Sequence, residues 1–555
     1  MFTPKLLSVL KQGYSKKLFI KDLTAGFMVG IITIPLSIAL AVSSGVSPEK
    51  GLYTSIIAGF IVSLLGGGRA QISGPSAALV IIIYDIIQSR GYSALVAATI
   101  MAGIMMILLG LLKLGNVIKY IPYPIATGFT SGIAVILFSL QIKDFLGLKI
   151  DLLPSKFIPR LVEYAKSIHT VSVSSVIVGI IALLITLGWP YISKKIPGSL
   201  IAMIITASAV RILGIGVETI GDRFNSLQSA SFGVSGFSLS TIAELFPAAL
   251  TIAVLAGMES LLTATAADGM LDDKHHSNME LVAQGTANIF SGLLGGIPAA
   301  GSMARTTANI RNGGRTPVAG IVHSLTVLAM MLLFMPLAKM IPMTTLAAIL
   351  MVEVCKMHEW RIFKSLLKAP KTDIAILLAT FVLTIILNLI VAIEFGLLMA
   401  AFLFMKRMAD MTRIESIKDE LKCSSDIALS NPDGIPKAIQ IFQIYGPFFF
   451  GAAEKFMDTI QENLDPTKVM IIRMRHVPFM DATGYHALFK TYSYCRKHRI
   501  LLLFTQVQPQ PLELMERYGF IELISKDNFC DDIEQALVRA NAYVELQSLK
   551  NNIPL

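Results

Sequence analysis

Gly74-Pro75-Ser76-Ala77, at the head of the apolar run from Ala78 to Ile87, and Pro298-Ala299-Ala300-Gly301-Ser302-Met303-Ala304-Arg305, at the head of Thr306 to Ile310, are glycine- and proline-broken segments at matching places in the two halves of the chain. Each reads as a helix that begins part-way through a membrane. The first N–H groups of a helix have no partner within it, and the helix start carries a partial positive charge. Two such starts brought together inside a bilayer form a cradle for an anion.

The composition supports a membrane setting. The chain of 555 residues is 54% hydrophobic and 15% charged, with a mean hydropathy of +0.67. That balance is far from a soluble protein of this size. Apolar runs close to the span of a bilayer recur, among them Ala94–Leu112, Val176–Leu187, Leu245–Leu262, Ile374–Leu389 and Ile390–Met405. The first run follows a charged head, Lys11 to Asp22, with nothing resembling a signal cleavage site behind it.

The net charge of +10 is informative by position. Lys5, Lys11, Lys16, Lys17 and Lys21 precede the first span. Lys194, Lys195, Arg311, Arg315, Lys356, Arg361, Lys364, Lys368, Lys371, Lys406, Arg407 and Arg413 fall in loops expected on the same side, which the positive-inside rule places in the cytoplasm. The segment from Lys143 to His169 also carries lysines and breaks the pattern. Nucleic-acid binding is a poor reading of this charge. Cys355, Cys423, Cys495 and Cys530 show neither metal nor redox spacing and read as reduced thiols.

Four stretches follow: a cytoplasmic head (1–21), a transmembrane body (22–410), a linker (411–435) and a C-terminal domain (436–555). In the last of these strand-like and helix-like segments alternate, as in a small α/β fold. Within the body, Ser76 follows Pro35 at nearly the distance by which Ser302 follows Glu259. Matched interruptions of this kind are the sign of an inverted-repeat transporter; two unrelated packing turns are the alternative.

Glu259 is the sharpest single residue, alone among apolar neighbours from Thr251 to Ala267. A carboxylate there must face a cavity, find a partner or hold a proton. Thr263, one turn on, shares its helix face. These two are the candidates for coupling to H+ or Na+; an ion pair of Glu259 with Arg305 is the structural alternative. Arg305 adds fixed positive charge beside the half-helix starts. The backbone N–H groups of Ser76, Ala77, Met303 and Ala304, with the hydroxyls of Ser76 and Ser302, are the candidate anion ligands. Gly66-Gly67-Gly68-Arg69 lacks the Lys-Ser/Thr ending of a phosphate loop and reads as a tight turn. His275-His276, beside Asp272 and Asp273, reads as an exposed polar loop rather than a metal cluster. No nucleophile–base constellation is present, so neither an enzyme nor a bound cofactor is expected.

The segments Glu259–Thr263, Ala267–Met270, Glu280–Gly285, Gly295–Pro298, Ala304-Arg305 and Asn312–Pro317, with Gly51–Tyr53 and Ile72–Pro75, resemble the SulP family of anion transporters. Val469 to Leu488, with Asp481-Ala-Thr-Gly484, is similar to a STAS domain. The resemblance implies about fourteen membrane segments in two inverted repeats of seven, forming core and gate domains. It also implies elevator-type movement of an anion held between Ser76-Ala77 and Ala304-Arg305. The acidic cation-coupling position matches Glu259, and glutamate there favours H+ over Na+. Two positions depart from relatives. Leu36 follows Pro35 where animal and plant members often carry glutamine. Ala482 replaces the phosphorylatable serine of stand-alone STAS regulators; Thr483 is expected to cap the following helix, with acceptance of a phosphate there as the alternative.

The expected function is secondary transport of sulfate, bicarbonate or a dicarboxylate across the plasma membrane, with both termini cytoplasmic, a homodimeric assembly and a regulator or dimer contact at the STAS domain. An anion channel and a membrane sensor signalling through STAS are the competing readings.

Overall fold

The computed structural model describes all residues except 1, 12, 116–121, 152, 194–195, 225–238, 358–359, 388, 417–435, 437, 463–466 and 552–555. Lys194, Lys195 and Cys423 therefore lie outside the described residues. The chain divides into two compact units, Met1–Leu397 and Leu398–Leu555.

The first half of unit one runs through α1 (Lys5–Lys11), α2 (Lys16–Ser43), α3 (Pro48–Leu65), β1 (Ser73–Pro75), α4 (Val80–Leu111), α5 (Tyr123–Leu146), α6 (Phe157–Ser167), α7 (Val173–Ile192) and α8 (Gly198–Leu213). After α9 (Ile220–Phe224), the second half runs through α10 (Leu239–Leu271), α11 (Ser277–Leu293), β2 (Ala299–Gly301), α12 (Met303–Arg311), α13 (Val318–Ala338), α14 (Met343–Met357), α15 (Trp360–Leu366) and α16 (Lys371–Ile386). α17 (Leu389–Met411) leads onward. Among the described residues six helices are long and apolar enough to cross a membrane, lying within α2, α4 (with the turn before it), α5, α7, α10 and α13. Helices of one half pack on those of the other: α4 on α10 and α11, α13 on α2 and α3, α5 on α14 and α16. Small residues allow these approaches. A Cβ on Gly103 would meet the Gly285 carbonyl oxygen at 2.6 Å, and one on Gly285 would meet that of Gly103 at 2.5 Å.

Both broken segments end the same way. Ser76 caps a 3-10 turn, Ala77–Leu79, that leads into α4. Gly91, with φ 79°, then interrupts α4, so the part from Val80 to Arg90 is a half-helix. Ser302 caps α12, which begins at Met303 and so has Arg305 within its first turn. α12 stops after nine residues at Asn312-Gly313, where Gly313 takes φ 98°.

Unit two contains a five-stranded sheet in the order β3 (Arg413–Ser416), β4 (Ile439–Tyr445), β5 (Val469–His476), β6 (Leu501–Thr505) and β7 (Phe529–Cys530). β4 to β7 are parallel, and β3 pairs antiparallel with β4. Thus the first residues of the expected linker form an edge strand. α18 (Phe450–Glu462), α19 (Ala482–Lys497), α20 (Pro509–Arg517), α21 (Phe520–Ile524) and α22 (Ile533–Asn551) complete the unit. One face of the sheet is covered around Phe442, Phe456, Ile472 and Phe504, and the other by Ile533, Ala536, Leu537 and Ala540 of α22. Parallel strands buried on both faces explain the apolar runs Val469–Ile472 of β5 and Leu501–Phe504 of β6, while β4 buries Gln440 and Gln443 as well as its apolar residues. The cap of α19 is Asp481, whose Oδ1 accepts from Gly484 N at 2.8 Å. Thr483 lies inside the helix, which corrects its expected capping role: the longer reach of the aspartate already serves the free N–H.

Candidate functional site

The two broken segments meet. β1 and β2 form an antiparallel ribbon with Ser73 opposite Gly301, Gly74 opposite Ala300 and Pro75 opposite Ala299. Three residue pairs span about 7 Å. Ser76 leaves one end of the ribbon and Ser302 leaves the other, so the two half-helices begin at opposite ends of one short element and run apart. Among the described residues, the N–H groups of Ala77, Met303 and Ala304 have no hydrogen-bond partner. Met303 and Ala304 are exposed and Ala77 is half-buried, while Ser76, Ser302 and Arg305 are buried.

Arg305, on the first turn of α12, turns its guanidinium back across the ribbon. Nη2 donates to the Pro75 carbonyl oxygen at 3.2 Å and to Ser37 Oγ at 3.3 Å. Nε and Nη1 have no partner, although the residue is only 1% exposed. A buried guanidinium with donors unused is costly unless an acceptor arrives. Gly74 makes room for it: a Cβ there would lie 2.0 Å from Nη1. Gly301 does the same for Gln71, whose Nε2 a Cβ would meet at 2.0 Å. Each ribbon glycine thus admits a polar side chain from elsewhere.

Glu259, on α10, accepts a short hydrogen bond at Oε2 from the Ser76 hydroxyl, which in turn accepts from Ala78 N at 3.1 Å. No ion pair within 4.0 Å joins Glu259 to Arg305 among the described residues. Thr263 is not joined to Glu259: its hydroxyl donates to the Gly301 carbonyl at 3.1 Å. Ser260, between them, accepts from Gly301 N at 2.8 Å. One face of α10 therefore holds both backbone groups of the β2 glycine while presenting Glu259 to the cap of the other half-helix. The Ser302 hydroxyl accepts from Arg305 N at 3.5 Å.

Three residues of α11 to which the sequence reading gave no role hold the ribbon and the turn after α3. Asn288 brackets Ala299, accepting from its N–H at 2.8 Å and donating to its carbonyl at 3.0 Å. Gln284 donates to Ser73 Oγ at 2.5 Å and to Glu280 Oε1 at 3.2 Å. Glu280, fully buried, accepts from Gly67 N at 2.9 Å and Gly68 N at 3.0 Å through Oε2. Their spacing of four along one helix face was the available signal. Asp22, also fully buried, receives Arg315 N (2.8 Å), Thr316 N (3.2 Å), the Thr316 hydroxyl (2.6 Å) and the Tyr14 hydroxyl (2.9 Å). It ties the turn after α12 to α2.

Gly66–Arg69 is a packing turn: a Cβ on Gly67 would meet the His276 carbonyl oxygen at 2.2 Å. His275 is not an exposed loop residue. Its side chain is 6% exposed and bonds Asp268 at 2.6 Å and Ser277 at 3.0 Å, because the acid beside it provides the partner that water would otherwise be.

The sulfate permease family profile matches residues 19–380, and the STAS domain profile matches 430–536. A putative sulfate transporter of Bacillus subtilis (strain 168), YvdB, is 38% identical over 94% of this chain and 97% of its own length. The bicarbonate transporter BicA of a Synechocystis strain is 28% identical over 93% of each. The solved structure of SLC26A9 superposes with a TM-score of 0.85 at 19% identity, covering 98% of this chain and 93% of that one; at that identity the likeness speaks for the fold. With the helical membrane body, the paired interruptions and the C-terminal α/β unit, these matches lead to one conclusion: the chain belongs to the sulfate permease (SulP) family of membrane anion transporters and carries a C-terminal STAS domain.

Proposed function

We propose that the protein is a secondary active transporter of a small anion: sulfate, bicarbonate or a dicarboxylate such as fumarate. The observation that carries this reading is the set of unpartnered donors at both half-helix starts, the N–H groups of Ala77, Met303 and Ala304, beside the unused Nε and Nη1 of Arg305. The anion accepts from these groups, with Ser76 and Ser302 ordering the helix ends. Sulfate, carbonate species and carboxylates all present planar or tetrahedral oxygens that suit N–H donors and a guanidinium fork.

Glu259 couples the anion to a cation, with H+ favoured over Na+. Its carboxyl shares the Ser76 hydroxyl, so a proton on Glu259 changes the charge next to the anion site and the hydrogen bonding of its cap together. Thr263 supports the coupling position by holding Gly301. The ribbon, α10 and α12 move as one body in an elevator-type cycle, opening the site to each side in turn. The protein resides in the plasma membrane as a homodimer, with residues 1–21 and the STAS domain (436–555, after a linker at 411–435) in the cytoplasm.

Uptake of labelled sulfate, bicarbonate and fumarate into liposomes containing only the purified protein, with and without imposed pH or Na+ gradients, tests this reading. Gradient-driven accumulation of one of these anions is expected. Passive currents far above carrier turnover would replace the carrier with a channel, and no flux of any anion would leave the sensor reading.

A further inference from the structure

We propose that α1 is an interfacial helix that binds an anionic lipid surface and anchors the nearby end of the membrane body to it. The helix has two apolar faces. Leu6 and Val9 are buried against the protein, whereas Leu7 and Leu10 are 52% and 49% exposed, and Phe2, just before the helix, is 42% exposed. The protein therefore satisfies one face only. Phe19, Ile20, Leu23 and Phe27, on the first turns of the spanning helix α2, which follows α1 in the chain, are exposed as well.

The charge around this surface specifies the occupant. Residues 1–21 contain five lysines and no acid. Lys5 is engaged with the protein; Lys11, Lys16, Lys17 and Lys21 are exposed, and none has an ion-pair partner among the described residues. Apolar side chains bounded by unpaired lysines at the end of a spanning helix match the boundary between acyl chains and negatively charged head groups.

α1 is also fastened to the body. Lys5 N donates to the Gly66 carbonyl at 2.9 Å, and Lys5 Nζ reaches Asp273 at 3.0 Å and the Lys274 carbonyl at 2.8 Å. His276 Nδ1 lies 3.0 Å from the Thr3 carbonyl oxygen. These contacts grip the turn after α3 and the turn between α10 and α11. The same turns hold Gly67 and Gly68, whose N–H groups bind Glu280, and Glu280 leads through Gln284 to Ser73 of the ribbon. A lipid-bound α1 is therefore connected by direct bonds to the strands of the candidate site.

The test is hydrogen exchange of the full-length protein in nanodiscs. Discs of phosphatidylcholine alone are compared with discs containing about one-third phosphatidylglycerol, where exchange across residues 5–11 is expected to slow roughly tenfold. The combined K11Q/K16Q/K17Q variant and the L7S/L10S variant should each lose that slowing while exchange elsewhere is unchanged. Equal exchange in both disc types, or slowing that survives either variant, overturns the proposal. Equal protection in a neutral detergent, which supplies no anionic head group, would show that the charge of the surface is not needed and overturn it too. The readout does not depend on transport, so failure here and failure of the transport reading are distinguishable.

Discussion

The hydroxyl of Ser76, the cap of the first half-helix, donates to Oε2 of Glu259 in the other half of the chain. The candidate coupling acid and the candidate anion site thus share one hydrogen atom's worth of geometry. A change of protonation at the acid is felt at the helix start without any intermediate residue.

Glu259→Gln keeps an oxygen for Ser76 but cannot exchange a proton. Uptake driven by a pH gradient is expected to be lost or to become independent of external pH. Liposome uptake across a series of pH values measures this, and an unchanged pH profile would remove Glu259 from the coupling role.

Arg305→Ala removes the guanidinium, and Gly74→Ala drives a methyl into the place of Nη1. Each is expected to weaken anion binding by roughly 10- to 100-fold, the scale of a hydrogen bond to a charged group. The double variant should be hardly worse than Arg305→Ala, because both changes remove the same contact. Additive losses, measured by equilibrium binding, would show that Gly74 acts otherwise.

Asn288→Ala leaves both the N–H and the carbonyl of Ala299 without their side-chain partner. Two buried groups left unpaired cost about 2–6 kcal/mol. A lowered midpoint of thermal unfolding in detergent is expected, and a midpoint within error of the parent would contradict the bracket.

In the STAS unit, burial pushes the Cys495 thiol up to about 12, while Cys355, on α14 of the first unit, is exposed. At pH 8 iodoacetamide should modify Cys355 and spare Cys495 in the folded protein. Because the folded thiol holds its proton more tightly than an unfolded one, its contribution to stability is intact below the unfolded value and declines as pH rises from there towards 12. Mass spectrometry of alkylated peptides tests the selectivity; equal labelling would refute it.

A chain ending at Met411 stops before β3 and removes the whole sheet. It is expected to insert in the membrane and to bind the anion with affinity within a few-fold of the full chain. Lost binding in a folded truncation would give the STAS unit a direct part in the site.

The reach of the sequence is clearest at the two interruptions. Gly74-Pro75 and Pro298–Gly301 announced breaks because neither proline nor glycine sustains a helix; Ser76 and Ser302 were read as anion ligands, and their capping of the two helix starts emerged only from the fold. Their pairing as a ribbon was hidden, since three residues carry no strand periodicity. Thr263 looked like a partner of Glu259 by spacing, but its hydroxyl is closer to the Gly301 carbonyl, and only the fold brings that carbonyl there. Asp22 read as part of a charged head; its burial depends on a turn almost three hundred residues later. In the STAS unit the strands β4, β5 and β6 were readable from apolar runs, whereas β3 and β7, four and two residues long, were too short to leave a pattern.

The shortness of the β1–β2 ribbon has an evolutionary corollary. Its two outer pairs are pinned from outside, by Asn288 at Ala299 and by Ser260 and Thr263 at Gly301. Adding or deleting one residue within 73–75 or 299–301 would shift the register of the ribbon and carry Ser76 away from Glu259 or Ser302 away from the Ile72 carbonyl. Length changes are therefore forbidden there, and insertions that diversify such transporters must accumulate in the connections between helices.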